Sequence, residues 1–336
     1  MPWKGEKDPY KIWLSEIILQ QTRVEQGRAY YERFIRQYPS IFHLAKAKEQ
    51  ELFKLWEGLG YYNRCKNLLH TACEIVKERK GVFPDQYEDL IDLKGVGPYT
   101  AAAIASFAYN LPYAVVDGNV FRVLSRYFGI SLPIDSTEGK HFFAEKAKQV
   151  LDEKQPALYN QAIMDFGATV CKPFLPECGN CPLNKNCLAI NLGKVNQLPV
   201  KEKRITRKNR WFTYFLFEFD GKTMVKKRED QDIWQNLYEF YLLETEGLIK
   251  WDKVLVETIL TEQLGIKNPK ITCFSRVFTQ QLTHQQIRGQ FIEISLHQLP
   301  AQFQRAFWKK PEQLQKLPFP KLITTYLDER RRLVKS

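Results

Sequence analysis

Leu93-Lys94-Gly95-Val96-Gly97-Pro98-Tyr99-Thr100, running on through the apolar stretch Ala101 to Ala108 and then Val116-Asp117-Gly118-Asn119, organises the chain. Two glycines two apart, set among hydrophobic residues and followed by proline, predict a hairpin turn between helices (93–100), because glycine tolerates left-handed backbone and proline suits a first helical position. A helix that starts there aims free N–H groups and the positive end of its dipole outward, and an anion such as a DNA phosphate is a natural guest. Read alone, Gly95-Val96-Gly97-Pro98 is most often just a tight turn.

Working outward, 336 residues with 44% hydrophobic content are enough for two compact cores. The net charge of +12 suits a polyanionic partner, and it is uneven: residues 1–200 carry +3 and residues 201–336 carry +9, with +5 of that inside 201–210. No apolar run approaches the roughly 18 residues that span a bilayer, and the polar start Met1-Pro2-Trp3-Lys4-Gly5-Glu6 is no signal peptide. The expectation is a bacterial cytoplasmic or nucleoid protein that uses no membrane and acts as a monomer. Seven cysteines, four clustered and three scattered (Cys65, Cys73, Cys273), point to a reducing compartment.

Asp8-Pro9-Tyr10 predicts a helix start, with Asp8 as N-cap, and the helix is expected to run through Gln21. Ile12, Trp13, Leu14, Ile17, Ile18 and Leu19 cover most of its circumference, so Glu16 stands in apolar company. Desolvation raises the pKa of such a carboxyl, and one kept protonated near neutrality can act as a general acid; a surface Glu on a broad-faced helix reads the same way. Gln20, one turn on, extends a polar stripe. Helices continue to Lys80, and Gly58-Leu59-Gly60 leads into Tyr61-Tyr62-Asn63-Arg64. Such a loop can push a ring between bases while Arg64 meets phosphate, or it can simply pack helices. A short helix is expected from Asp85, as cap, to Asp92. Asp117 is expected to cap the helix Gly118 to Tyr127 and to stay ionised at its dipole N-terminus. Opposite a protonated Glu16 it would complete an acid plus an anionic stabiliser, the pair that breaks a glycosidic bond through a cationic sugar.

Cys171, Cys178, Cys181 and Cys187, with six, two and five residues between them in a loop rich in Pro and Gly (171–187), form a four-thiolate metal motif. Only one Cys-x-x-Cys knuckle is present, which favours an iron–sulfur cluster over zinc.

Together, Trp13-Leu14-Ser15-Glu16, Leu19-Gln20-Gln21-Thr22, Gly58-Leu59-Gly60-Tyr61-Tyr62, Gly95-Val96-Gly97-Pro98-Tyr99-Thr100, Val116-Asp117-Gly118-Asn119 and the cysteine loop resemble the adenine DNA glycosylases of the MutY family, in the helix-hairpin-helix glycosylase superfamily. The resemblance covers about residues 2–197. It implies an all-α catalytic region (1–197) carrying a 4Fe-4S cluster, and removal of adenine mispaired with 8-oxoguanine or guanine in duplex DNA. In it Glu16 protonates adenine at N7, Asp117 stabilises the oxocarbenium-like sugar, and Tyr99 and Asn119 complete the pocket. Trp3 and Gln161 line the adenine pocket, Gln21 and Tyr61 wedge into the duplex, and Gln20, Thr22, Arg64, Gly95 and Gly97 join the DNA-binding set. The lyase relatives resembling endonuclease III carry a lysine where Tyr99 stands, so a monofunctional enzyme is expected. The family's members carry a further helix ahead of the Leu-Pro-Trp motif that this sequence enters at Pro2-Trp3, and that helix is expected to be missing. Two rivals are an endonuclease III-like pyrimidine glycosylase and AP lyase, and a non-catalytic DNA-binding iron–sulfur protein.

Residues 198–210 are polar, basic and without period, which predicts a linker. Beyond it, Arg210 to Phe219 is β-rich, Asp220-Gly221 is a hairpin turn, Phe240 to Leu243 and Phe291 to Leu296 are strands, and Trp251 to Leu264 is a helix, a separate α+β domain (211–336). It resembles the Nudix-like C-terminal domain of the same family. Val256 to Gly265 keeps a helical shape without the arginine and paired glutamates that hold catalytic magnesium, so no hydrolase activity is expected. Leu282-Thr283-His284 corresponds in the resemblance to the family's Phe-Ser-His loop, which recognises 8-oxoguanine.

Overall fold

The computed structural model describes residues 4–22, 24–202, 206–300, 303 and 308–335. They form two compact units, one of Met1–Ala47 with Lys66–Arg204 and the other of Lys48–Cys65 with Ile205–Ser336. The compositional break at 198–210 therefore separates most of the two units, while 48–65 packs with the second.

The first unit is helical. In chain order the helices are α1 (Pro9–Leu19), α2 (Val24–Gln37), α3 (Ile41–Ala45), α4 (Glu49–Trp56, in the segment that joins the second unit), α5 (Asn63–Glu78), α6 (Tyr87–Asp92), α7 (Pro98–Tyr109), α8 (Gly118–Tyr127), α9 (Thr137–Val150), α10 (Pro156–Thr169) and α11 (Leu188–Asn191). The Asp8 carboxylate accepts the Tyr10 N–H at 2.9 Å and starts α1. Tyr10 and Ile12 to Ile18 are all buried, so α1 has no solvent face and is a core helix. It stops at Leu19: Gln21 is left-handed (φ 56°), so Gln20 and Gln21, expected inside the helix, form the turn after it. Likewise α6 begins at Tyr87, after an extended Gln86, because the Asp85 carboxylate accepts from the Gln86 amide instead of capping.

In the hairpin between α6 and α7, Gly95 is left-handed (φ 82°), and a Cβ there would lie 2.8 Å from Asn67 Cβ, so the turn needs glycine twice over. Gly97 is not left-handed; with φ −98° it is an extended N-cap ahead of Pro98. Thr71 Oγ1 donates to the Lys94 carbonyl at 2.8 Å and braces the turn from α5. Ala101 to Ala105 are buried almost completely, and their small side chains let α7 lie closely against α1. A second cluster (Ala103, Val115, Val120, Leu124, Phe143, Met164) seals α7, α8, α9 and α10 together.

In the second unit β1 (Lys208–Phe219), β2 (Lys222–Met224), β5 (Tyr241–Thr245), β6 (Lys270–Phe274), β7 (Phe278–Gln281), β8 (Gln285–Ser295) and β9 (Trp308–Lys309) form one mixed sheet, and β3 (Lys226–Lys227) pairs β4 (Tyr238–Glu239) separately. β1 runs parallel to β8, Trp211 beside Arg288 and Phe217 beside Ile294, and antiparallel to β5 and β2. Asp220 and Gly221 both take positive φ, as a two-residue hairpin requires. Side chains on both faces of β1 are buried. Phe215 and Phe217 meet Val256 and Leu260 of α12 (Lys253–Leu264), while Tyr214 stacks on Phe291, which stacks on Tyr326 of the last helix, α14 (Lys321–Lys335), after the short α13 (Pro311–Leu314). Glu57 Oε1 accepts the Phe319 N–H at 2.8 Å and Lys54 donates to the Leu317 carbonyl at 3.0 Å, which is how 48–65 joins this unit.

The expected linker is ordered at both described ends. Leu198 is buried against Cys187 and Ala189, and the Val200 carbonyl accepts from Ile134, because apolar residues in this basic stretch find core positions. Arg210 lies in β1 and pairs with both Asp232 and Glu244 at 2.7 and 2.6 Å, so its charge is spent inside the fold. Residues 203–205 lie outside the described residues.

Candidate active site

Glu16 is 4% exposed, and its one side-chain donor among the described residues is the Tyr99 hydroxyl, 2.8 Å from Oε2. Burial pushes the Glu16 carboxyl up to about 7; the Tyr99 hydrogen bond opposes this and the nearby charge of Asp117 adds to it. Tyr99 itself is pushed well above the ordinary phenol range by burial and by the two carboxylates, so its proton stays in the hydrogen bond. The hairpin accounts for the meeting: Pro98 starts α7, Tyr99 is the next residue, and α1 packs along α7.

Asp117 caps α8 as its position implies. Oδ1 accepts the N–H groups of Asn119 and Val120, each at 2.8 Å, and Oδ2 accepts the Asn119 side-chain amide at 2.7 Å. Burial raises its pKa, against those donors and the charge of Arg122. The two carboxyls still differ in kind. Among the described residues the Glu16 carboxyl has one donor, while that of Asp117 has three and the nearby charge of Arg122, so the charged form is better supported at Asp117 than at Glu16.

Arg122 and Arg126 were not singled out in the sequence. Arg122 is buried and donates to Asn119 Oδ1 at 2.8 Å, to the Gly167 carbonyl at 2.6 Å and to the Cys171 carbonyl at 2.6 Å. It therefore locks the residue beside Asp117 to the cysteine loop. Gly167 has no room for a side chain, since a Cβ would stand 2.7 Å from Asn119 Cβ. Arg126, one turn further along α8, donates to the carbonyls of Lys172 (2.7 Å), Pro173 (3.2 Å) and Leu198 (3.1 Å) and reaches Cys171 Sγ at 3.5 Å. The signal available in the sequence was the spacing of Asn119, Arg122 and Arg126 on one helix face.

The four cysteines line one cavity with Val123, Arg126 and Tyr127 of α8. Among the described residues no three His, Cys, Asp or Glu side chains converge closely enough to share a single ion. Four thiols spread around a cavity, backed by a guanidinium, fit a polynuclear group better than one zinc.

The remaining expected site residues fall in several places. Gln20 Nε2 donates to Thr100 Oγ1 at 3.2 Å, and Thr22 Oγ1 donates to the Gln20 carbonyl, so both belong to the turn after α1, with Gln21 exposed at its tip. Gln161, on α10, donates to Asp165 at 3.1 Å rather than to the carboxyl pair, and Asp165 also pairs with Lys4. Trp3 lies outside the described residues. In the second unit Tyr61 is exposed and left-handed (φ 49°), Arg64 donates to the Gly60 carbonyl at 3.2 Å, and the Tyr61 hydroxyl meets Thr283 Oγ1. Leu282-Thr283-His284 forms the turn from β7 to β8, closed by the Leu282 N–H on the Gln285 carbonyl at 2.8 Å. Glu257 and Glu262 of α12 point to solvent.

The geometry supports one direct test. Removing the hydroxyl that holds Glu16 down, in Tyr99→Phe, should raise the Glu16 pKa and move the alkaline limb of the base-release rate upward by on the order of one pH unit. A limb that stays in place in single-turnover assays would show that Tyr99 does not tune Glu16.

Residues 14–148 match the HhH-GPD superfamily base excision DNA repair protein, and residues 213–329 match the NUDIX domain. The adenine DNA glycosylase of Buchnera aphidicola subsp. Acyrthosiphon pisum is 38% identical over 242 residues, 71% of this chain and 69% of that one. Its counterpart from subsp. Schizaphis graminum is 33% identical over 288 residues, 84% and 81% of the two chains. The human adenine DNA glycosylase is 40% identical over 198 residues, covering 56% of this chain and 36% of its own. Among solved structures, a thermostable thymine-DNA glycosylase superposes with a TM-score of 0.53 at 30% identity, over 57% of this chain and 88% of that chain. A non-covalent endonuclease III–DNA complex, at 21% identity, 56% and 86% coverage and a TM-score of 0.50, shares the fold.

Proposed function

The chain belongs to the adenine DNA glycosylases, in the helix-hairpin-helix base-excision repair superfamily, and we propose that Glu16 and Asp117 perform its hydrolysis of the adenine N-glycosidic bond. One observation carries the assignment: a carboxyl only 4% exposed, hydrogen-bonded by Tyr99 and pushed up to about 7, lies within electrostatic reach of a carboxylate held by three donors.

In this reading the adenine is extruded from the duplex, which costs least at a mismatch. Protonated Glu16 gives its proton to N7 as the C1′–N9 bond breaks, and the neutral base leaves with the bonding pair. Asp117 faces the positive charge that develops on the sugar. Water adds to C1′, its oxygen becoming the C1′ hydroxyl and its released proton returning to the Glu16 carboxylate. Tyr99 carries a phenol where Schiff-base chemistry needs an amine, so the product is an abasic site in an intact strand. Cys171, Cys178, Cys181 and Cys187 would hold a 4Fe-4S cluster, which would fix the shape of their loop, and Arg122 ties that loop to Asn119.

The favoured substrate is adenine opposite 8-oxoguanine or guanine, with the lesion read by Thr283 and His284 in the β7–β8 turn and Tyr61 wedged beside it. Thr283→Ala with His284→Ala should cut the preference for 8-oxoguanine over guanine roughly tenfold, about the worth of one or two hydrogen bonds, and spare the chemical step. An equal loss on both substrates would reassign the turn to general DNA binding.

The deciding experiment follows base release from duplexes with A opposite 8-oxoguanine, G, C and T, with borohydride added in parallel. Adenine should leave from the first two pairings with no covalent adduct. Release of a pyrimidine or a strong trapped adduct would point to the endonuclease III-like alternative.

A further inference from the structure

Between α7 and α8 the chain runs from Asn110 to Asp117 without helix or strand, and this irregular segment is what brings Asp117 to the site. Buried backbone outside regular structure needs partners for its N–H and C=O groups. Here one side chain of α10 provides them. Asn160, 1% exposed, accepts the Val115 N–H on Oδ1 at 3.0 Å. Its Nδ2 donates to the Tyr113 carbonyl and to Ser106 Oγ of α7, each at 2.8 Å. The position asks for an acceptor and two donors on one short side chain, which a carboxamide has and a leucine of similar size lacks.

The bonds that Asp117 makes to Asn119 and Val120 are local, so they fix its carboxylate against α8 but not against Glu16. Asn160 supplies the missing link. Ser106 belongs to the same helix as Tyr99, whose hydroxyl holds Glu16, and Val115 stands two residues before Asp117, about 7 Å of extended chain. A second hold comes from the same face of α10. Gly167 lies seven residues beyond Asn160, close to two turns, and its carbonyl accepts from Arg122, which also holds Asn119. The backbone is thus held by α10 two residues before Asp117 and two residues after it.

We propose that Asn160 is a positioning residue for base excision, setting the separation of the Glu16 and Asp117 carboxyls through its hydrogen bonds to Ser106, Tyr113 and Val115. The inference rests on the roles given to Glu16 and Asp117 above.

The test is a double-mutant cycle on single-turnover adenine release from an A·8-oxoguanine duplex, with full-length wild type, Asn160→Ala, Asp117→Asn and the combined variant. Asn160→Ala should slow release about 10- to 10²-fold, the cost of misplacing a reacting group by about 1 Å. Its affinity for the same duplex carrying a non-cleavable 2′-fluoroadenosine should stay within about twofold of wild type. In the Asp117→Asn background no charge is left to misplace, and the same change should cost less than about threefold. Ser106→Ala, a milder change that removes one of the three bonds, runs through the same cycle with an expected loss of about threefold, so the question is answered even where Asn160→Ala does not fold. Equal losses in both backgrounds would overturn the inference and leave Asn160 a packing residue, as would a loss seen in duplex affinity and not in the rate. If Asp117→Asn by itself releases adenine within about tenfold of wild type, the role of Asp117 fails first, and the positioning role with it.

Discussion

Glu16→Gln should lower single-turnover adenine release by about 10² to 10⁴, the range expected for loss of a general acid, and should also stabilise the protein above pH 7. The two effects share one cause. The Glu16 carboxyl is pushed from an ordinary 4.5 to about 7 by burial, so the folded state holds a proton there that the unfolded chain releases at lower pH. Below about 4.5 both states are protonated and no penalty exists. Between about 4.5 and 7 the unfolded chain gives up the proton while the folded chain keeps it, so across that window the wild type loses on the order of 3 kcal/mol that the glutamine variant keeps, and above 7 the loss is constant. Denaturant unfolding at pH 4.5 and pH 7.5 would read this out, with the wild type falling and the variant level. A variant that is inactive and shows the same pH dependence as wild type would mean that the raised acidity constant belongs to another group.

The second large effect is expected of Asp117→Asn. Asparagine caps a helix about as well as aspartate, so the N–H groups of Asn119 and Val120 keep an acceptor and α8 stays in place. The negative charge facing the sugar is lost, and base release should fall about 10² to 10³. Because the Asp117 charge also raises the Glu16 pKa, its removal should move the alkaline limb of residual activity downward, opposite to Tyr99→Phe. Activity within tenfold of wild type would leave Asp117 a structural cap and nothing more.

Much of this site was legible in the chain, for local reasons. A glutamate among Ile12, Trp13, Leu14, Ile17 and Ile18 has no solvent face to turn to, and an aspartate before Gly118 at a helix start can only cap. The hairpin was readable because Gly-x-Gly-Pro has few other uses, although only Gly95 needs positive φ. Tertiary contact hid the rest. Arg122 and Arg126 look like the solvated cations of an amphipathic helix until carbonyls 45 to 72 residues away close on them. Residues 48–65 carry helical periodicity like their neighbours, and contacts distant in sequence, such as those of Phe319 and Leu317 some 260 residues on, draw them to the second unit. The short strands β6, β7 and β9 alternate too weakly to be read, and α14 is too charged to announce the stacking of Tyr326 on Phe291.

The carboxyl carbon of Glu16 can be followed directly by ¹³C NMR against pH in protein labelled at glutamate, with its signal identified by its absence from the Glu16→Gln spectrum. A midpoint near pH 7 is the predicted result, with a downward move in Asp117→Asn. A midpoint in the ordinary carboxylate range near 4.3 would contradict it, and with it the assignment of Glu16 as the proton donor.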